Sequence, residues 1–170
     1  MIKYLRSIFR RRSHAKTRPR LFAAMVYFEK DDLYVAATCW DSRRMHCPGP
    51  PCYHVKLAVS DQEIGAYVLS ALGASRGDLN QETYDANCRM FFTLANADNW
   101  EELEERCQYI NACRYAGENA LTIQPMKKVS TGGYISENGD AKYCVTPDAG
   151  AIGATIRSVV LDPPLAYVDE

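Results

Sequence analysis

Two apolar, aromatic-rich runs, Leu21 to Phe28 and Leu33 to Trp40, flank the charged tetrad Glu29-Lys30-Asp31-Asp32. That order predicts a β-hairpin closed by a charged turn. Pro48, Gly49, Pro50 and Pro51 crowd the stretch from Asp41 to Pro51 and predict a loop. Tyr53 to Val59 then alternates weakly and reads as a returning strand. Ser60-Asp61-Gln62-Glu63 has the form of a capping box, where the serine oxygen accepts from an early helix N–H and the glutamate reaches back. Ile64, Val68, Leu69, Ala71 and Leu72 supply the helix face behind it, and Arg76-Gly77-Asp78 ends it.

Residues 80–97 lack a clean period and read as strand or irregular chain, with Met90 to Leu94 the best strand candidate. Asp98 or Asn99 caps a short helix through Trp100, Leu103 and Cys107. Glu101, Glu102, Glu104 and Glu105 point outward from its first turns, where the helix dipole favours negative charge. Gln108 to Tyr115 and Ala120 to Pro125 read as strands, and Tyr134 to Ser136 and Ala141 to Val145 flank an Asn138-Gly139 hairpin turn. Thr146-Pro147-Asp148 opens a last helix, with proline at its first position, which runs to about Val160 before Pro163-Pro164 forbids it.

Hairpins outnumber crossovers in this order. The expected fold is therefore α/β of the α+β kind: a mixed, mainly antiparallel sheet with two or three helices packed on it. A faint internal echo runs through it, because Ile64-Gly65-Ala66 and Ile152-Gly153-Ala154 each follow a strand and a polar cap. Glycine inside a helix costs about 1 kcal/mol relative to alanine, so both positions predict a close approach, taken here as helix on sheet.

Charge divides the chain. Eight of the 20 Lys and Arg residues fall within residues 1–20, which hold no acid, leaving 12 bases against all 21 acids and a net of -9 for residues 21–170. The division predicts a basic N-terminal arm, residues 1–20, on a single acidic domain, residues 21–170, a size that can bury its own core. Ile2, Leu5, Ile8 and Phe9 fall at helical spacing within the arm, which admits a membrane-surface helix or a nucleic-acid tail besides a solvated one. The apolar run after Arg20 meets Glu29 too soon for a secretory signal or a membrane span. The seven cysteines, an odd number, then read as reduced thiols of a cytoplasmic protein. An acidic body steers basic partners towards it and repels nucleic acid.

The chemistry on offer is thin. Cys39, His46, Cys47, Cys52 and His54 are ligand types that zinc accepts, yet their spacing matches no common four-ligand knuckle. A Cys–His nucleophile in the same stretch has no local signature, and Thr131-Gly132-Gly133 is a bare turn, not a phosphate loop. A small zinc-binding or cysteine-dependent enzyme centred on residues 39–54 stays open as the alternative reading. An adaptor using residues 1–20 against membrane or nucleic acid is the third.

The run from Val59 to Arg76, Val-Ser-Asp-Gln-Glu-Ile-Gly-Ala-Tyr-Val-Leu-Ser-Ala-Leu-Gly-Ala-Ser-Arg, resembles a motif of the contact-dependent growth inhibition immunity proteins. The later pattern is similar too: Trp100-Glu101-Glu102-Leu103, then Leu121 to Pro125, Gly132 to Ile135, and a second capped helix from Asp148 to Val160. The resemblance covers roughly residues 21–160 and implies a non-catalytic cytoplasmic inhibitor with no cofactor. Its partner would be a cognate toxin domain, often a nuclease, and not nucleic acid or membrane. The basic arm and the Cys/His stretch lie outside that pattern. From charge alone, Glu101, Glu102, Glu104 and Glu105 are the first candidates to touch a basic toxin surface, with Asp31 and Asp32 next.

Overall fold

The computed structural model describes residues 20–128, 134–135 and 142–162. Residues 1–19 of the basic arm, Thr131-Gly132-Gly133, Asn138-Gly139 and Pro163-Pro164 lie outside the described residues. The elements in order are β1 (Leu21–Glu29), β2 (Asp32–Asp41), β3 (His46–Lys56), α1 (Asp61–Ala74), β4 (Arg76–Leu79) and α2 (Gln81–Ala95). They continue with α3 (Trp100–Arg106), β5 (Gln108–Tyr115), β6 (Leu121–Lys128), β7 (Tyr134–Ile135), β8 (Tyr143–Val145) and α4 (Ala149–Leu161). The sheet runs β3-β2-β1-β5-β6-β7, with β8 also on β6 and β4 added to β2 as a parallel partner. It is mixed and mainly antiparallel, as the pattern of runs predicts.

Strand alternation sends β1 to both faces. Ala24, Val26 and Phe28 join one apolar cluster with Leu33, Val35, Ile110 and Ile123, which α1 and α4 cover with Ile64, Val68, Ile152 and Ile156. Met25 and Tyr27 join a second cluster with Tyr34, Ala36, Phe91 and Ala95 of α2, and Leu103 of α3. Burial on both faces is why these strands read as unbroken apolar runs and not as an alternation.

Four expectations are corrected. Residues 80–97 are a helix, α2: Asn80 caps it by accepting from Thr83 N at 2.8 Å, and Asn96 closes it in the left-handed region at φ 50°. Within it Met90 is 40% exposed, so the apparent strand at Met90 to Leu94 is one inward turn plus an outward methionine. Part of the supposed loop from Asp41 to Pro51 is the start of β3. Its prolines are tolerated because β3 is an edge strand, and its register against β2 shifts between Ala36 and Ala37. Among the described residues, β7 and β8 pair with β6 and not with each other. Pro147 precedes the N-cap, which is Asp148, whose carboxylate accepts from Ala151 N at 3.0 Å.

The echoed glycines make a helix-on-helix contact, not the expected helix-on-sheet one. A Cβ on Gly65 would lie 1.8 Å from the Ala149 carbonyl oxygen, and one on Gly153 would lie 1.8 Å from that of Asp61. Each helix thus presses its second turn against the first residue of the other. Arg157 locks the crossing: its Nε donates to Asp61 Oδ1 at 2.6 Å, and its other nitrogens donate to the Leu57 and Val59 carbonyls. Among the described residues no helix is long and apolar enough to cross a membrane.

A methyl group at either glycine meets backbone, which cannot rotate aside. Gly65→Ala and Gly153→Ala should each lose about 2 kcal/mol or more in urea unfolding, against the helix-propensity gain of about 1 kcal/mol that alanine brings. Gly73→Ala is the counterpart, because its Cβ meets nothing within 4 Å and the substitution should hold or raise stability.

Candidate functional site

The acidic candidates gather at one end of the sheet. Gln108, which directly follows the helix α3 and its cap, pairs with Phe28, next to the β1–β2 turn. Arg106 ties the two together, with its Nε 3.9 Å from Glu29 Oε2 and its Nη2 donating to the Ala95 carbonyl at 2.8 Å. The turn is sharp because Lys30 adopts the left-handed region at φ 53°.

Aromatic packing sets how α3 lies. Tyr27 stacks on Tyr109 at 4.8 Å between ring centroids and meets Phe91 and Trp100 at 5.6 and 6.3 Å. Trp100 stands edge-on to Phe92 at 5.0 Å, and Leu103 is fully buried beneath the helix. Burial pushes the Tyr27 phenol well above its usual range, so the cluster stays neutral. With Trp100 and Leu103 facing in, Glu101 and Glu105 face solvent.

The six acids are not equivalent. Glu102 closes the α3 cap, since its carboxylate accepts from Asp98 N at 2.7 Å while its own N–H donates to Asn99 Oδ1 at 3.0 Å. Glu104 is half-buried and its side-chain charge reaches Tyr27. Asp32 is held by Lys56 Nζ at 2.5 Å and by His54 Nε2, whose ring stacks on Tyr34 at 5.0 Å. Among the described residues the side chains of Asp31, Glu101 and Glu105 have no hydrogen bond or ion pair. Asp31 contributes its carbonyl, which accepts from Leu57 N at 2.7 Å.

The Cys/His stretch is divided by the sheet. Cys39 and Cys47 are cross-strand partners within the cluster under α1 and α4. Cys52 packs against the other cluster, and His54 lies on that side over Tyr34. His46 pairs with Trp40, one residue out of step with Cys47 and so on the opposite face. Among the described residues no three or more His, Cys, Asp or Glu side chains are grouped to hold a metal ion, and all seven cysteines are free. What the sequence reading missed is Cys88, which α2 brings into the same cluster as Cys39 and Cys47. It also missed Met45, exposed at 54% beside Arg43 and Arg44 at the far end of the sheet.

The hydrogen bonds from Lys56 and then His54 hold the Asp32 carboxyl below its ordinary value. A depressed folded-state pKa adds stability above the unfolded value of about 3.9, and that stability is lost as pH falls through the folded value. Asp32→Asn should therefore flatten the fall of the urea midpoint between about pH 4 and about pH 2 relative to the parent chain. Equal slopes would show that Asp32 is as well solvated folded as unfolded.

No family model and no curated protein matches the chain. Solved structures that share its fold include the following two. One is a protein of unknown function from Neisseria meningitidis, with a TM-score of 0.61 and 15% identity, covering 81% of this chain and 92% of that one. The other is a chain of the CdiA-CT/CdiI toxin and immunity complex from Yersinia pseudotuberculosis, with a TM-score of 0.64 and 17% identity, covering 84% of this chain and 97% of that one. At such identities the likeness is one of fold, and the fold is one found in a toxin–immunity assembly.

Proposed function

We propose that this chain is an immunity protein of the contact-dependent growth inhibition kind. It binds a cognate toxin domain in the bacterial cytoplasm and neutralises it without catalysing a reaction. The observation that carries the reading is the fold likeness to a chain of a toxin and immunity complex, which spans 97% of that chain and 84% of this one. Residues 21–170 would form the immunity domain, with residues 1–20 as a basic arm whose last residue, Arg20, is held to the fold by the Nη2 hydrogen bond it donates to the Ser75 carbonyl at 3.2 Å. The alternative centred on residues 39–54 has no comparable support, since its five Cys and His side chains are split between two sheet faces.

A nuclease is the toxin class that fits the charge. Nuclease grooves are basic because they bind phosphate, and residues 21–170 carry a net of -9. Within the acidic end, Asp31, Glu101 and Glu105 are the strongest contact candidates. They can pair with a basic surface without surrendering a hydrogen bond or ion pair among the described residues, whereas Asp32 and Glu102 would leave Lys56, His54 or a helix cap behind. Exposed charges of this kind govern association rate and salt dependence more than final affinity.

The test is co-expression with the toxin domain encoded beside this chain. Protection from killing, with binding in the nanomolar range that weakens as salt rises, is the expected result. Unchanged killing and no binding would overturn the reading. Given binding, Glu101→Lys combined with Glu105→Lys should slow association about tenfold at low ionic strength and flatten its salt dependence. Unaltered kinetics would take α3 out of the interface.

A further inference from the structure

An apolar recess opens beside the C-terminal end of α1. Leu69, Leu72 and Gly73 of that helix line it together with Phe22 of β1, Leu121 of β6 and Pro147. Its volume is about 110 Å³, and Phe22 and Leu69 stand only half-buried around it. An engineered apolar cavity of roughly 150 Å³ takes benzene, so a part-open recess of this size has room for one ring.

The N-terminal arm joins the fold at this recess. The Arg20 guanidinium lies 4.8 Å from the centre of the Phe22 ring, and it donates to the Ser75 carbonyl at 3.2 Å. The Arg20 carbonyl accepts from Ala116 N at 2.7 Å, which fixes the backbone there. Ser75 is the C-cap of α1, and the last turn of that helix holds no basic residue. The negative end of the helix dipole is thus answered from the arm, by Arg20, with Arg18 and Lys16 the next bases along it.

We propose that this recess is the seat of the chain's own N-terminal arm, with Phe9 as the side chain that fills it. Phe9 is the first bulky apolar residue met on going back from Arg20, because residues 10–19 offer only Ala15 and Pro19 besides polar and basic side chains. Arg114 also lines the recess, which favours an uncharged occupant over one of the arm's bases. Phe9 lies eleven positions before Arg20, and a coil of that length spans about 18 Å, so the return needs no stretched chain. The tether makes the contact intramolecular, at an effective concentration on the order of millimolar. Eight bases in residues 1–20 against a net of -9 on residues 21–170 draw the arm towards the body.

Docking covers Phe22 and Leu69 and makes the arm part of what holds α1 to the sheet. The seat does not rest on the toxin reading, and its test needs no toxin.

That test is a thermal-unfolding cycle on the full chain. Phe9→Ser should lower the melting temperature by about 3 °C. Gly73→Leu fills the recess from within, since a Cβ at Gly73 meets nothing within 4 Å. In that background Phe9→Ser should cost less than about 1 °C, because its seat is already taken. An equal loss in both backgrounds, or no loss in either, overturns the proposal. So does a loss that Leu165→Ser reproduces and Phe9→Ser does not, which assigns the recess to the C-terminal residues.

A second measurement reads the contact directly. The full chain carries p-benzoylphenylalanine in place of Phe9, is irradiated at low protein concentration, and is digested with trypsin. Attachment within one chain to residues 21–30, 57–76 or 115–127, which carry Phe22, Leu69 to Gly73 and Leu121, supports the seat. Attachment elsewhere in the chain, or to a second copy of it, overturns the proposal.

Discussion

The contact on which the architecture turns is the place where α1 and α4 meet backbone to backbone. Gly65 and Gly153 remove the side chains that would hold these helices apart, each lying where a Cβ would overlap the other helix's first residue. Because the helices close up, both lie on one sheet face and both insert isoleucine into it, Ile64 beside Gly65 and Ile152 beside Gly153. Small next to large in each helix is how a flat sheet is covered without a gap between the covers. Arg157 then fills the polar seam left over, satisfying two carbonyls that follow β3 and the first carboxylate of α1.

Local chemistry was the legible part of the fold. The charged hairpin turn, the Ser60 capping box and the Asn99 cap all lie where the sequence puts them, because each is decided by residues within a few positions. The misreadings arose where a distant partner decides. Met90 to Leu94 imitates a strand until α2 turns Phe91 inward and Met90 outward. The prolines of β3 imitate a loop until the strand is known to be an edge. The glycine echo announced a close approach but could not say against what, since the answer lies 84 residues ahead of Gly65, at Ala149, and 92 residues behind Gly153, at Asp61.

The same division holds at the acidic end. Six acids look alike as letters, and only the folded chain reveals that Asp32 answers to Lys56 and His54 and that Glu102 is spent on a helix cap. That Asp31 shares an end with Glu101 and Glu105 depends on β5 pairing with β1, a long-range fact. The five Cys and His residues between Cys39 and His54 carry the opposite lesson. Neighbours in sequence are sent to opposite sides by the two-residue period of a strand, while Cys88 is brought into the same apolar cluster as Cys39 and Cys47 by a helix that no periodicity announced.

The reach of Arg157 carries a consequence for how the chain is made. Its partners lie between 96 and 100 residues earlier, at the junction from β3 into α1. During synthesis from the N-terminus, β1 to β3 and α1 emerge long before α4 exists. Until then α1 has an apolar side with no cover, and the carbonyls of Leu57 and Val59 have only water. The nascent chain thus carries an open seam that closes only once its last described helix has left the ribosome, and that interval is when it is most exposed to chaperones, proteases and other nascent chains.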